Sequence, residues 1–417
     1  MSSLAENIKD FSAKYDFAGQ SYASMYPNLH KYPATMLPQI GVELLKDFNA
    51  KKTNLLDPYC GSGSSFISGV EYGIKDFVGF DLNPLAVMIA KGRLDFIESR
   101  ELLEQKNRLL CKLNDRANLA TQNPQIALDF SPLSRVTNLD FWIEKTAQKD
   151  LMQIFLLLQN IPHKQIQNLF TLAFSETLRE SSFVRNNEFK LFRMKDYKGY
   201  KPRVYEIFTR KLELITQNYL GFYQPKLQNL TFDISLGTFQ SNGKTFDTIL
   251  TSPPYGDSKT TVAYGQFSTF INEWLGFSEA RKLDSRLLGG KRAQKLYDKT
   301  CIKEHIAEIA KIDKKRALEI SSFYFDLESS IVLLVGCVNI GGKVFFVIGN
   351  RTVKNITLPT DKFIAEIFCA NGFKHIATLK RKISNKAMPR KNSPTNKKGI
   401  LSHTMNDEHI IVCEKIP

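Results

Sequence analysis

Cysteine and histidine are scarce in this chain of 417 residues, with six of each. No two cysteines form a C-x-x-C pair, which excludes a disulfide framework and the common zinc modules. No histidines stand at H-x-x-x-H spacing, and no acidic cluster accompanies them, so no metal is expected. Long hydrophobic runs are also missing. The longest, around 331–341, is too short to cross a bilayer and reads as buried helix. The N-terminal stretch MSSLAENIKDFSAKYDF has neither the basic head nor the apolar core of a signal peptide. No membrane partner and a cytoplasmic location are therefore expected.

Acidic residues are in deficit too. Lys and Arg number 57 against 42 Asp and Glu, a formal net charge of +15. Between Glu366 and Asp407 there is no acidic residue, while nine Lys and Arg fall in that stretch. A polyanionic partner rewards such clustering through phosphate neutralisation and counterion release.

The chain length suits two or three domain-sized units. Residues 37–48 have helical spacing, 54–57 reads as a short buried strand, and Cys60–Ser64 forms a glycine turn into a helix that runs to Tyr72. A second strand, 77–81, precedes a helix from Pro84 to about Phe96. Strand, glycine turn, helix, strand and acidic residue open a doubly wound α/β sheet. Helical patterns at 100–120, 146–160, 163–180 and 201–220 make 97–227 an insertion. Strands return at 230–234 and 246–250. A basic polar stretch at 256–316 then precedes a helix at 319–339, a strand at 343–348 and a helix at 360–371. Strands at 374–383 and 409–414 form an antiparallel hairpin, joined by a long basic loop. The expected division is 1–96, 97–227 and 228–417, with a basic insertion at 256–316 and a basic loop at 384–405.

Three segments carry chemistry. In Leu56-Asp57-Pro58-Tyr59-Cys60-Gly61-Ser62-Gly63 the glycines allow close backbone approach to a ligand and a sharp turn into the helix. The Lys-Ser/Thr of a P-loop is absent, and so is the third glycine of a dinucleotide fingerprint. Asp81, in Phe80-Asp81-Leu82-Asn83-Pro84, ends the next strand, where a carboxylate accepts ribose hydroxyls. The alternative role for Asp81 is to cap the helix that begins at Pro84. Thr251-Ser252-Pro253-Pro254-Tyr255 follows the 246–250 strand. Its two prolines lack N–H groups and fix φ, so the chain leaves the sheet as a rigid loop with free carbonyls and an aromatic tip. Such a loop suits a flat substrate bearing an NH₂ group.

Glycine turn, acidic strand end and [DNS]-P-P-[YFW] loop, in that order, resemble the S-adenosylmethionine-dependent DNA amino-methyltransferases that modify adenine N6 or cytosine N4. His30-Lys31-Tyr32-Pro33-Ala34 resembles the segment packed over the methionine part of the cofactor in that family. The resemblance covers about 25–96 and 228–415. It implies a class I, Rossmann-like doubly wound mixed sheet with a C-terminal antiparallel hairpin and a helical insertion. By the same resemblance Tyr32, Pro33, Asp57, Pro58, Tyr59, Gly61, Gly63, Asp81, Asn83 and Asp233 bind S-adenosylmethionine. Ser252, Pro253, Pro254 and Tyr255 hold the base, with Ser252 Oγ and the Pro253 carbonyl accepting the amine hydrogens. Ser at the first position of the loop favours cytosine N4 over adenine N6. Such enzymes act on double-stranded DNA with the base flipped out, often beside a cognate restriction endonuclease.

Lys386, Arg390, Lys391, Lys397 and Lys398 in the basic loop, with Lys291 and Arg292 in the second insertion, are expected to contact DNA phosphates. Arg179, Arg185, Lys190 and Arg193 form a third basic cluster, for which a solvated helix face is an equal reading. No cysteine lies in a Pro-Cys loop at the catalytic strand, so cytosine C5 methylation is set aside. An RNA amino-methyltransferase, or a non-catalytic DNA-binding subunit with the same fold, remains the alternative. Cofactor binding and the identity of the labelled nucleic acid discriminate among them.

Overall fold

Leu55 and Leu56 are adjacent on one short strand, yet they enter different cores. Leu55 packs with Phe77, Leu250, Phe345, Val347, Ile410 and Val412. Leu56 packs with Val78, Ile249, Val344, Phe346 and Ile411. Successive side chains on a strand point to opposite faces, so a sheet covered on both sides needs apolar residues at consecutive positions. Each fully buried Leu or Phe contributes about 1.5–3 kcal/mol relative to exposure.

The structure is a computed structural model that describes residues 14–20, 26–33, 35–122, 134–185, 189–257, 263–383, 391–392, 402–403 and 407–417. Helix α1 (Pro38–Asp47) leads into β1 (Asn54–Asp57), α2 (Ser64–Tyr72), β2 (Asp76–Asp81) and α3 (Pro84–Leu94). The insertion carries α4 (Ser99–Gln122), α5 (Lys145–Gln159), α6 (Lys164–Glu180) and α7 (Val204–Asn218). Then come β3 (Thr231–Leu236), β4 (Phe246–Thr251), α8 (Tyr264–Trp274), α9 (Ile302–Ile312) and α10 (Lys314–Val335). Strand β5 (Val338–Ile348), α11 (Thr360–Ala370), β6 (Phe373–Lys382) and β7 (Asp407–Lys415) complete the chain.

The seven strands run in the order β3-β2-β1-β4-β5-β7-β6. Pairing is parallel from β3 to β5, and β7 is antiparallel to both β5 and β6. Strand order reverses at β1 and β4, and a crevice forms at the carboxyl ends of strands at such a switch point. Helices α9, α10 and α11 cover one face, through Ile306, Leu327 and Phe363.

On the other face, α1 to α3 share a continuous core with the insertion helices, through Leu44, Phe66, Ile89, Leu158, Phe170 and Phe208. The apolar stripe of α6 (Ile166, Leu169, Phe170, Ala173, Phe174) repeats every three or four residues and is buried along its length. Trp274 of α8 lies edge-on to Phe155 and Phe174, with centroids 5.9 and 5.4 Å away.

Two expected elements are displaced. The helix expected over 319–339 runs over 314–335 instead, because the Asp313 side chain accepts from the Arg316 N–H at 3.0 Å and starts it earlier. Val338 already pairs with Phe246, so the end of the expected helix is the start of β5. The stretch 256–316, read from the sequence as a basic polar insertion, contains α8 and α9. In the basic loop, Lys391–Asn392 pairs antiparallel with Ser402–His403. Lys386, Arg390, Lys397 and Lys398 lie outside the described residues.

Candidate active site

The loops at the carboxyl ends of β1, β2, β3 and β4 surround a cavity of about 440 Å³. That is within the range of a small-molecule site, about 300–1,000 Å³. Tyr32, Asp57, Pro58, Tyr59, Gly61, Asp81 and Asn83 line it, as do Ser252 and Pro254. The glycine turn closes through the Gly63 N–H, which donates to the Cys60 carbonyl at 2.7 Å. Gly61 and Gly63 both have positive φ, +48° and +83°. At Gly63 a Cβ would stand 3.0 Å from Ala90 on α3, so this glycine serves close helix packing and does not line the cavity. Pro33 is buried and does not line it either.

Asp81 holds the turn in place. Its Oδ2 accepts from the Gly61 N–H at 2.9 Å and its Oδ1 from the Asn83 N–H at 2.8 Å. Burial pushes its carboxyl up to about 6, against these two hydrogen bonds. Asp57 sits deeper and is also pushed up to about 6 by burial. Its oxygens accept from the Tyr59 N–H at 3.0 Å, from Thr251 Oγ1 at 2.5 Å and from Ser65 Oγ. Asp57 thus ties β1, the glycine turn and β4 together at the cavity floor. Asn83 caps α3, accepting from the Leu85 N–H at 3.2 Å, and donates to Tyr32 Oη at 2.9 Å. Tyr32 stacks on Tyr264 of α8 with centroids 6.0 Å apart. Tyr59 Oη donates to Ser330 of α10 at 2.5 Å.

Asp233 is not brought to the cavity. It is exposed and accepts from Ser235 Oγ at 3.1 Å. In register it lies opposite Val78, while Leu236 lies opposite Asp81. The sequence reading ends β3 at Ile234, but the strand runs to Leu236, so Asp233 stands one pleat too low. Gly237, Thr238 and Phe239 line that side instead.

The loop after β4 joins the same wall. Ser252 Oγ donates to Tyr255 Oη at 3.1 Å, and Tyr255 Oη donates to Glu408 Oε1 at 3.0 Å. The Tyr255 ring is half-buried against the α10 side of the core. Pro253 is buried. Behind them Glu408 is paired with Arg381, both about 4% exposed. Arg316 holds Asp257 through Nη1 at 3.1 Å and Nη2 at 2.6 Å. Arg93, Glu408, Arg381 and Arg286, the last a cation at the cavity wall, escape a sequence reading. Arg93 and Glu408 each contact a motif: Arg93 Nη1 donates to the Ser62 carbonyl at 2.7 Å, and Glu408 accepts from Tyr255.

Among the described residues no group of three or more His, Cys, Asp or Glu could hold a metal ion. Also among them, no helix is long and apolar enough to cross a membrane.

The polar groups of the cavity fit S-adenosylmethionine. Among the described residues none caps helix α2 with its side chain, and none is a hydrogen-bond partner of the buried Ser64 Oγ at its first residue. A bare helix N-terminus beside an unsatisfied hydroxyl matches an amino-acid carboxylate. Asp81, at the end of β2, matches ribose hydroxyls.

Fold and cavity together define a class I methyltransferase that uses S-adenosylmethionine as methyl donor. No family model matches the chain. It is 34% identical over 442 residues to the type II methyltransferase M.MvaI of Kocuria varians, covering 98% of this chain and 95% of that protein. The chain belongs to the type II methyltransferase family. TrmN from Thermus thermophilus aligns with 92% of this chain and 50% of its own, at 9% identity and a TM-score of 0.29, a distant likeness.

The raised carboxyl of Asp81 has a measurable consequence. Below about pH 6 a protonated Asp81 donates where ribose hydroxyls need an acceptor, so cofactor affinity is expected to fall as pH drops through 6. In the free protein the sign is opposite: a carboxyl raised by burial contributes stability that is lost as pH rises through about 6. Isothermal titration with S-adenosylmethionine between about pH 5 and pH 8 measures the first effect. An unchanged inflection in Asp81→Asn would assign it to another group.

Proposed function

We propose that this protein methylates the exocyclic amine of a flipped base in duplex DNA, cytosine N4, within a short defined sequence. It would act as the modification partner of a restriction endonuclease. The observation that carries this reading is Ser252-Pro253-Pro254-Tyr255 at the end of β4, with Ser252 and Pro254 sharing one cavity wall with the glycine turn and Asp81. The relative's description as a type II methyltransferase supports the restriction-modification setting.

An exocyclic NH₂ is a weak nucleophile because its lone pair is delocalised into the ring. Ser252 Oγ and a carbonyl of the proline loop accept its hydrogens and draw that lone pair back onto nitrogen. S-adenosylmethionine, when bound, supplies a methyl group on a positively charged sulfur. Asp81, Tyr59, Gly61 and Ser64 orient it, and orientation with fixed dipoles supplies most of the acceleration. The exposed part of the Tyr255 ring stacks on the extruded base and replaces lost duplex stacking.

The surface of the insertion supports DNA as the partner. Phe189 and Phe192 are 47% exposed, beside exposed Arg185, Lys190, Lys195 and Lys198. Phe189 lies 6.3 Å from Phe267 of α8, the helix that brings Tyr264 to the cavity. Aromatic rings interleaved with cations suit unstacked bases and phosphates. Arg179 is engaged within the fold instead, donating to the Phe267 carbonyl at 3.2 Å and lying over that ring. Lys291 and Arg292 are exposed, and Arg281 is paired with Glu273 at 2.6 Å.

Replacing Arg185 and Lys190 by alanine should lower the slope of log affinity against log salt by about 2, roughly 0.9 per phosphate contact. Neutralising Lys386, Arg390 and Lys391 tests the basic loop in the same way, and an unchanged slope removes that segment from the interface. The reading as a whole is tested by long-read sequencing of DNA from a methylation-free strain expressing the protein. N4-methylcytosine in one motif is expected. N6-methyladenine would overturn the base, and label entering only RNA would overturn DNA as substrate.

A further inference from the structure

Four side chains, two from the loop after β4 and one each from β6 and β7, form a chain of polar contacts that ends at Ser252 in the cavity lining. Arg381 on β6 and Glu408 on β7 are direct partners in the antiparallel register, and their side chains form a buried ion pair. Arg381 Nε also donates to the Tyr15 carbonyl at 2.8 Å. Glu408 Oε1 accepts from Tyr255 Oη at 3.0 Å, and Tyr255 Oη accepts from Ser252 Oγ at 3.1 Å.

The direction of each bond follows from counting protons. A carboxylate paired with a guanidinium offers only lone pairs. The single hydroxyl proton of Tyr255 is therefore directed to Glu408, and its oxygen can only accept from Ser252. The single proton of Ser252 is thereby engaged as well. Ser252 Oγ then presents lone pairs alone to the cavity.

We infer that Glu408, acting through Tyr255, is a positioning residue that makes Ser252 an obligate hydrogen-bond acceptor. The inference deepens the amine-methylation reading and rests on it. An obligate acceptor binds a base carrying NH₂ at the reacting position and repels one carrying a carbonyl oxygen there. The relay therefore selects cytosine or adenine over thymine and uracil, before any contact with neighbouring base pairs.

Glu408→Gln tests this with little change of shape. Arg381 can only donate, so the new amide turns its carbonyl to Arg381 and its NH₂ to Tyr255. Every donation then reverses, and Ser252 points its proton at the incoming amine. Methyl transfer to unmethylated plasmid DNA is expected to fall about 100-fold in kcat, the scale of losing one preorganised hydrogen-bond partner. S-adenosylmethionine affinity should stay near that of the unaltered protein, while the melting temperature falls alike with Tyr255 intact or replaced, because Arg381 keeps its buried charge and loses its carboxylate. In a Tyr255→Phe background, where the relay is cut, Glu408→Gln should cost less than about twofold more, since coupled residues are non-additive. Equal losses in both backgrounds would mean that Glu408 is merely structural and would overturn the inference.

A second measurement needs neither turnover nor a Glu408 variant. In protein labelled with [¹³Cζ]tyrosine, the Tyr255 resonance, assigned with Tyr255→Phe, should show a phenol donating to a carboxylate. A free-phenol position would refute the relay whatever the kinetics. If the unaltered protein methylates no nucleic acid, the amine reading falls, while this spectrum still decides the relay.

Discussion

Tyr255→Ala is expected to lower methyl transfer about 1,000-fold. The ring contributes stacking of about 1–3 kcal/mol to an extruded base. Its removal also releases the Ser252 hydroxyl, adding a loss of the size seen for one preorganised group. S-adenosylmethionine affinity should change less than about twofold, because Tyr255 does not itself line the cavity and makes no bond to Asp81 or the glycine turn, the groups that fit the cofactor. Single-turnover kinetics and equilibrium binding, measured on the same preparation, separate the two quantities. Equal losses in rate and affinity would sink the stacking role. Tyr255→Phe keeps the ring and should lose less, which divides stacking from hydrogen-bond direction.

Asp81→Ala should act on the other quantity, weakening S-adenosylmethionine about 100- to 1,000-fold. Hydrogen bonds to a charged group are worth about 1.5–3 kcal/mol each, and a ribose offers two hydroxyls. The substitution also frees the Gly61 and Asn83 N–H groups, which loosens the glycine turn that shapes the cavity. At saturating cofactor kcat should recover to within about tenfold, as removal of ground-state binding predicts. Isothermal titration decides the matter. An unchanged Kd would reduce Asp81 to a brace of the glycine turn, since the cap of α3 is Asn83 and not Asp81.

The first half of the sheet is legible in the sequence because local signals agree there. Leu55 and Leu56 form an apolar pair, the turn after them is glycine-rich, and Pro84 opens α3 directly after Asn83, a capping residue. Helix α9 is harder to see because Lys and Glu crowd its exposed face. Its buried side, Ile302, Ile306 and Ile309, nonetheless keeps helical spacing. Strand β5 begins five residues before the sequence places it, since Val338 is extended by its pairing with Phe246 and not by any local preference. Asp233 illustrates the sharpest limit. Its strand is legible, but two residues of register separate a carboxylate in the site from one on the surface.

The kind of chemistry can be read from the chain alone. The order of glycine turn, acidic strand end and Ser-Pro-Pro-Tyr loop depends on short-range constraints, namely φ angles, missing N–H groups and strand ends, that a local reading can follow. How each polar group is used emerges only with the folded molecule. Asp57 is taken up by Thr251, 194 residues away, and Tyr255 by Glu408, 153 residues away. Hydrogen-bond direction depends on which partner arrives, and partners so far apart in the chain meet only once the sheet has closed.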